Sequence, residues 1–118
     1  LIREVNCNKQ HIMADDVRLM QVMDNLMQNA LRYTRTQIIV RAFEDNGNIN
    51  ISVTDDGEGI QEDELPLIFD RFYKNNNDGT GLGLSIVKEL ITAMGGGVFV
   101  KSVPYQCTEI GFYLPVAA

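Results

Sequence analysis

The chain has 118 residues, 45% of them apolar, with 10 Lys and Arg against 16 Asp and Glu and a formal charge of −6. That length and apolar content suit one domain around a single core and exclude a disordered chain, and the acidic balance argues against a nucleic-acid surface. No apolar run approaches bilayer length and no signal peptide opens the chain, which starts at Leu1 and is read as part of a longer protein.

Taken in order, the first dozen residues, ending in Gln10-His-Ile-Met13, read as an extended entry strand. Asp15 and Asp16 then offer an N-cap and a favourable first-turn charge. Behind them Val17, Met20, Met23, Leu26, Met27, Ala30 and Leu31 recur at helical period, which predicts a long helix over 16–33 with its methionines filling core. Residues 36–44 and 48–54 are rich in Ile and Val, and Asp45-Asn-Gly47 between them signals a hairpin. Residues 61–72 place Glu62, Asp63 and Glu64 before Leu65, Ile68, Phe69 and Phe72, the pattern of a short helix in which Pro66 is early enough to be tolerated. From Leu82 the apolar steps are again helical until Gly95-Gly-Gly97 stops them, and residues 98–103 and 110–114 give two closing strands. Helices and strands alternate without regular βαβ order, so the expected fold is a two-layer α/β sandwich. It has a mixed sheet of about five strands and three main helices on one face. Cys7 and Cys107 match no Cys-x-x-Cys spacing, and two reduced thiols are expected rather than a metal or redox pair.

Three segments carry candidate chemistry. In Gly79-Thr-Gly-Leu-Gly-Leu-Ser-Ile-Val87, the glycines can bring backbone N–H groups close to a ligand. They do so at a helix start, where orphan donors and the macrodipole favour an anion such as a phosphate chain. A glycine-rich helix entry capped by Thr80, with no ligand, is the competing reading. The segment is neither a Walker loop, since Leu84 and Ser85 stand where Lys and Ser or Thr would, nor a dinucleotide fingerprint, since residue 86 is Ile. In Asp55-Asp-Gly57-Glu-Gly59-Ile60, a carboxylate at the end of an apolar strand can accept from an exocyclic amine such as adenine N6, while the glycines let a flat ring lie against backbone. An acidic strand-end turn is the alternative. On the first helix Asn25, Asn29, Arg32 and Tyr33 share a face: Asn29 could give Mg²⁺ a neutral oxygen, Arg32 could neutralise phosphate and Tyr33 could pack near base or ribose. A solvated polar face is the alternative there. Given the negative charge, any ATP must meet local cations or arrive with Mg²⁺.

Together the segments resemble the sensor histidine kinases. Asn25-Leu-Met-Gln-Asn29-Ala-Leu-Arg-Tyr33-Thr resembles their N box, Asp55-x-Gly57-x-Gly59 their G1 box, Phe69-Asp-Arg-Phe72-Tyr their F box and Gly79-Thr-Gly81-Leu-Gly83-Leu their G2 box. The order agrees and nearly the whole chain is covered. The resemblance implies a Bergerat-type ATP-binding catalytic domain of the gyrase, Hsp90, histidine kinase and MutL superfamily, over residues 1–118. In it Asp55 meets the adenine amine, and Gly57, Gly59 and Ile60 line the base pocket. Asn29 holds Mg²⁺ with Asn25 beside it, Arg32 and Lys74 approach phosphates, and Thr80, Gly81, Leu82, Gly83 and Leu84 face them. Tyr33 and Phe72 complete the set. Asn25 stands where the ATPase branches carry Glu, so water attack lacks its base. The phosphoacceptor His is expected on a separate dimerisation domain, His11 having no acidic neighbour, and no catalytic residue is assigned within the chain itself. Implied partners are ATP and ADP, that domain and a response regulator, with no nucleic acid and no membrane contact. The location is a cytoplasmic domain of a parent that can be anchored in the bacterial plasma membrane. The lid, residues 73–78, is shorter than is usual for the family and has Lys74 as its cation. A non-catalytic nucleotide or partner-docking module of the same fold is the alternative.

Overall fold

The computed structural model describes residues 2–6, 16–71 and 83–115. Its elements are β1 (Ile2–Asn6), α1 (Asp16–Tyr33), β2 (Ile38–Asp45), β3 (Asn48–Asp55), α2 (Gly83–Ala93), β4 (Gly97–Val103) and β5 (Cys107–Pro115). The five strands form one sheet in the order β1-β2-β3-β5-β4, with β1 parallel to β2 and every other pair antiparallel. This is the expected mixed sheet. Because side chains alternate along a strand, one face collects Ile38, Val40, Ile51, Val53, Val98, Val100, Ile110, Phe112 and Leu114, and both helices pack on it.

Local chemistry sets the boundaries. Asn46 and Gly47 both take positive φ, 53° and 81°, as a two-residue hairpin turn requires, and this fixes Asp45 opposite Asn48. At the end of α2, Gly95 turns left-handed at φ 88°. The Gly96 N–H then reaches the Ile91 carbonyl at 3.0 Å and the Gly95 N–H that of Thr92 at 3.1 Å, the paired bonds of a Schellman cap.

Two expectations are corrected. The apolar residues of α1 span about half its circumference at 3.6 residues per turn, and the core takes only one edge of that arc. Val22, Leu26 and Ala30 are buried and Met23 and Met27 pack beside them, while Val17, Met20 and Leu31 are 75%, 67% and 62% exposed. Among the described residues there are two α-helices rather than three. Instead of the helix expected over 61–72, the chain makes turns around a single 3₁₀ turn, Leu65–Leu67. Its bonds span three residues, Leu67 N–H to the Glu64 carbonyl (2.9 Å) and Asp70 N–H to that of Leu67 (2.9 Å). Pro66 has no N–H, and its ring clashes with a carbonyl four residues back in an α-helix, so a longer-period ladder cannot pass through it. Buried Ile68 and half-buried Phe69 fasten the segment to the core.

Candidate functional site

The strand-end carboxylate lies inside the protein. Asp55 is the last residue of β3, flanked in register by Ile38 on β2 and Thr108 on β5, and is 3% exposed. Its Oδ1 accepts the Gly57 N–H at 2.9 Å, and Oδ2 has no hydrogen-bond partner among the described residues. Burial pushes the Asp55 carboxyl above its ordinary value, the Gly57 bond opposes this and the neighbouring Asp56 adds to it. Such a group gains from a donor that satisfies its second oxygen.

Gly57 is required by crowding. A Cβ there would strike the Tyr33 backbone carbonyl and stand 2.8 Å from Asp55 Oδ1, so glycine alone lets the end of α1 meet the carboxylate loop. Two residues on, Gly59 has φ 77°, and Ile60 both packs against the core and donates its N–H to Ser102 Oγ at 2.7 Å.

Asp56 turns the other way. Its Oδ1 accepts from Thr34 Oγ1 (3.0 Å) and from the Arg35 (2.8 Å) and Thr36 (3.0 Å) amides, and its Oδ2 from the Thr36 hydroxyl and amide. These donors hold its pKa well below the usual carboxylate range. One side chain thus braces the segment that leaves α1 against the loop that follows β3.

On α1, Asn25 and Asn29 lie about 60° and about 20° to one side of buried Val22, at 100° per residue, and both are half-buried beside the core stripe. Asn25 Nδ2 is buried and has no hydrogen-bond partner, a donor oriented inward with nothing in the described protein to receive it. Arg32 is exposed in the last turn of α1, where a cation is favoured by the helix dipole, and Tyr33 is half-buried. Gly83 opens α2, and a Cβ on it would meet no described atom; Leu84 packs on the same core as Ile60. The structure therefore brings Tyr33, Asp55 and Gly57 together, with Gly59 and Ile60 continuing the same loop and α2 packed along α1. Phe72, Lys74, Thr80, Gly81 and Leu82 lie outside the described residues, as do Cys7 and His11. Cys107 is a free, half-buried thiol. Sequence reasoning missed Asp56, Ser102 and Thr108; the Thr34-Arg-Thr36 run beside a second acid was the available signal for the first of them.

Among the described residues no three His, Cys, Asp or Glu side chains gather as metal ligands, and no helix is long and apolar enough to cross a membrane. Comparison with known proteins places the chain in a family. A family model for histidine kinase-, DNA gyrase B- and HSP90-like ATPases matches residues 14–118. The chain is similar to the sensor histidine kinase WalK of Bacillus subtilis, 34% identical across 97% of this chain and 20% of that protein. It is likewise similar to ZraS of Salmonella typhi, 40% identical across 92% of this chain and 24% of that protein. Among solved structures, full-length ShkA in complex with AMPPNP superposes with a TM-score of 0.85 at 34% identity, covering 98% of this chain and 26% of that one. The mycobacterial sensor histidine kinase MprB gives 0.82 at 28%, covering 98% and 83%. The chain thus spans about a quarter or less of the full-length relatives it matches.

Proposed function

Because the chain belongs to the family of histidine kinase-, DNA gyrase B- and HSP90-like ATPases and its relatives are sensor histidine kinases, we propose that it binds Mg·ATP. It then presents the γ-phosphate to a histidine on a separate dimerisation and phosphoacceptor domain, from which a response regulator takes it. One observation carries the reading: Asp55, buried at the mouth of the sheet, keeps an oxygen that no described group occupies, beside a glycine loop shaped for close approach. That oxygen accepts from the adenine N6 amine, a contact a guanine carbonyl cannot make.

The other residues follow the same division of labour. Gly57 and Gly59 keep side chains away from the ring plane and Ile60 gives the base an apolar wall. Arg32 offsets phosphate charge from the end of α1, and Gly83 and Leu84 open the helix whose first amides face the same anion. Lys74, Thr80, Gly81 and Leu82 extend this grip, with Tyr33 and Phe72 beside the nucleotide. The inward Asn25 donor and the amide oxygen of Asn29 suit a phosphate and its counter-ion. Asn29 would hold Mg²⁺, with phosphate and water as the remaining ligands, and the ion would supply charge neutralisation on the phosphates. An amide at Asn25 cannot take a proton at neutral pH, so this chain positions ATP for transfer and does not activate water against it. In the full-length protein, label from the γ-phosphate should appear on histidine and disappear in Asn29→Asp, in which a charged oxygen replaces the neutral ligand. Steady phosphate release by the 118-residue chain alone, with no histidine labelling of the whole protein, would overturn the proposal.

A further inference from the structure

Beyond its own Asp55–Gly57 bond, the loop that carries the base-pocket residues leans on a neighbouring element. Glu58, Gly59 and Ile60 rest against the reversal between β4 and β5. The Ile60 N–H donates to Ser102 Oγ at 2.7 Å, the Tyr105 N–H donates to the Glu58 carbonyl, and a Cβ on Gly59 would stand 2.6 Å from the Val103 carbonyl oxygen and 2.8 Å from Pro104 Cα. Tyr105 takes φ 65°, uncommon for a bulky residue, in the turn that presents its amide.

Ser102 is the centre of this contact. Its hydroxyl donates to the Cys107 carbonyl at 2.9 Å, lies 3.0 Å from Thr108 Oγ1 and receives Ile60 at 2.7 Å. A hydroxyl has one proton and two lone pairs. With its proton on Cys107, it accepts from both Ile60 and Thr108, and its capacity is full. Thr108 is itself buried and is the register partner of Asp55. The hydroxyl therefore ties the far end of the loop to the strand that flanks the carboxylate at its near end.

We propose that Ser102 is a positioning residue for nucleotide binding: through the Ile60 amide it holds residues 55–60 in the one shape that receives a purine. This rests on the nucleotide reading above. It assigns the preorganisation of the base pocket to a side chain 42 positions away from the loop amide it holds. Removing the hydroxyl leaves the Ile60 and Thr108 donors unpaired and lets the loop sample other shapes, so each binding event must order it again.

The test is calorimetric titration of the 118-residue chain with Mg·ADP and Mg·GDP, for wild type, Ser102→Ala and Ser102→Thr, with amide exchange followed at Ile60 and melting temperature recorded. Ser102→Ala should bind Mg·ADP about tenfold more weakly, the worth of one good hydrogen bond. It should also narrow the preference for ADP over GDP and speed exchange at Ile60. Ser102→Thr keeps the hydroxyl and should return all three readouts to within about threefold of wild type. Unchanged ADP affinity in Ser102→Ala, or failure of Ser102→Thr to recover what Ser102→Ala loses, overturns this inference while leaving ATP binding in place. Absence of nucleotide binding by the wild-type chain overturns the proposed function and this inference with it.

Discussion

Replacing Asp55 by Asn separates recognition from stability, because the two pull in opposite directions at this residue. The amide keeps an Oδ1 for the Gly57 N–H, now at 2.9 Å, so the loop retains its bond. What should be lost is the charged acceptor proposed for the adenine amine. A hydrogen bond to a charged group is worth about 1.5–3 kcal/mol, which corresponds to roughly 10- to 150-fold weaker binding of Mg·ATP. The new amide can donate to a guanine carbonyl, so GTP should gain as ATP loses. Stability should move the other way. Burial raises the Asp55 pKa, so its folded form holds a proton more tightly than the unfolded chain does. That contribution is complete below the ordinary value of about 3.9 and is lost as pH rises through the folded value. Above the folded value the wild type has given it up, whereas Asn has no proton to lose, and Asp55→Asn should melt no lower than wild type there. Titration calorimetry with both nucleotides and melting curves from pH 4 to 7 read each part. ATP affinity within twofold of wild type, or a variant that melts well below it at pH 7, would refute the reasoning.

Other substitutions probe the frame around the carboxylate. Asp56 has a lowered pKa, so its bracing of Thr34, Arg35 and Thr36 stabilises the fold above the ordinary carboxylate value and fades as pH falls towards the folded one. Asp56→Ala should therefore lose less melting temperature between pH 5 and pH 3 than wild type does, with circular dichroism as the readout. Gly57→Ala drives a methyl into the Tyr33 carbonyl, and overpacking of this kind costs about 1–3 kcal/mol, seen as a melting point lower by at least about 4 °C. Phe112→Ala empties a fully buried site between sheet and helices and should cost about 3–5 kcal/mol in a urea titration. Asn29→Asp should leave melting nearly unchanged while removing histidine labelling in the full-length protein.

Much of the scaffold could be read from local chemistry. The start expected for α1 agrees with its first residue, Asp16; Asn46-Gly47 fixed a hairpin and its register, and the glycine run closed α2, since each of these two features acts on its own backbone neighbours. The 61–72 segment escaped because Pro66 sits too deep in it for an α ladder, although the apolar spacing around it is helical. The exposed Val17, Met20 and Leu31 show a related limit: periodicity identifies a broad apolar arc but not which edge of it the sheet covers. At the site, the motif residues were visible because glycine and carboxylate patterns are short. The supports were not, because Ser102 meets Ile60 and Thr108 stands beside Asp55 only once β5 has inserted between β3 and β4.

The glycine run that ends α2 ties the helix at its C-terminal end, while Leu84, Ser85 and Val87 seat its first turns against the core. Its last turn is tied by the Gly95 and Gly96 amides, and Gly96 lies flush against the Tyr113 carbonyl with no room for a methyl, whereas a Cβ on Gly83 at the first turn would meet no described atom. Eleven residues at about 1.5 Å each give an arm of about 16 Å, so a tilt of about 5° would move its tip by about 1.4 Å. The glycine end is the pivot about which any such tilt would turn, with β5 beside it moving least.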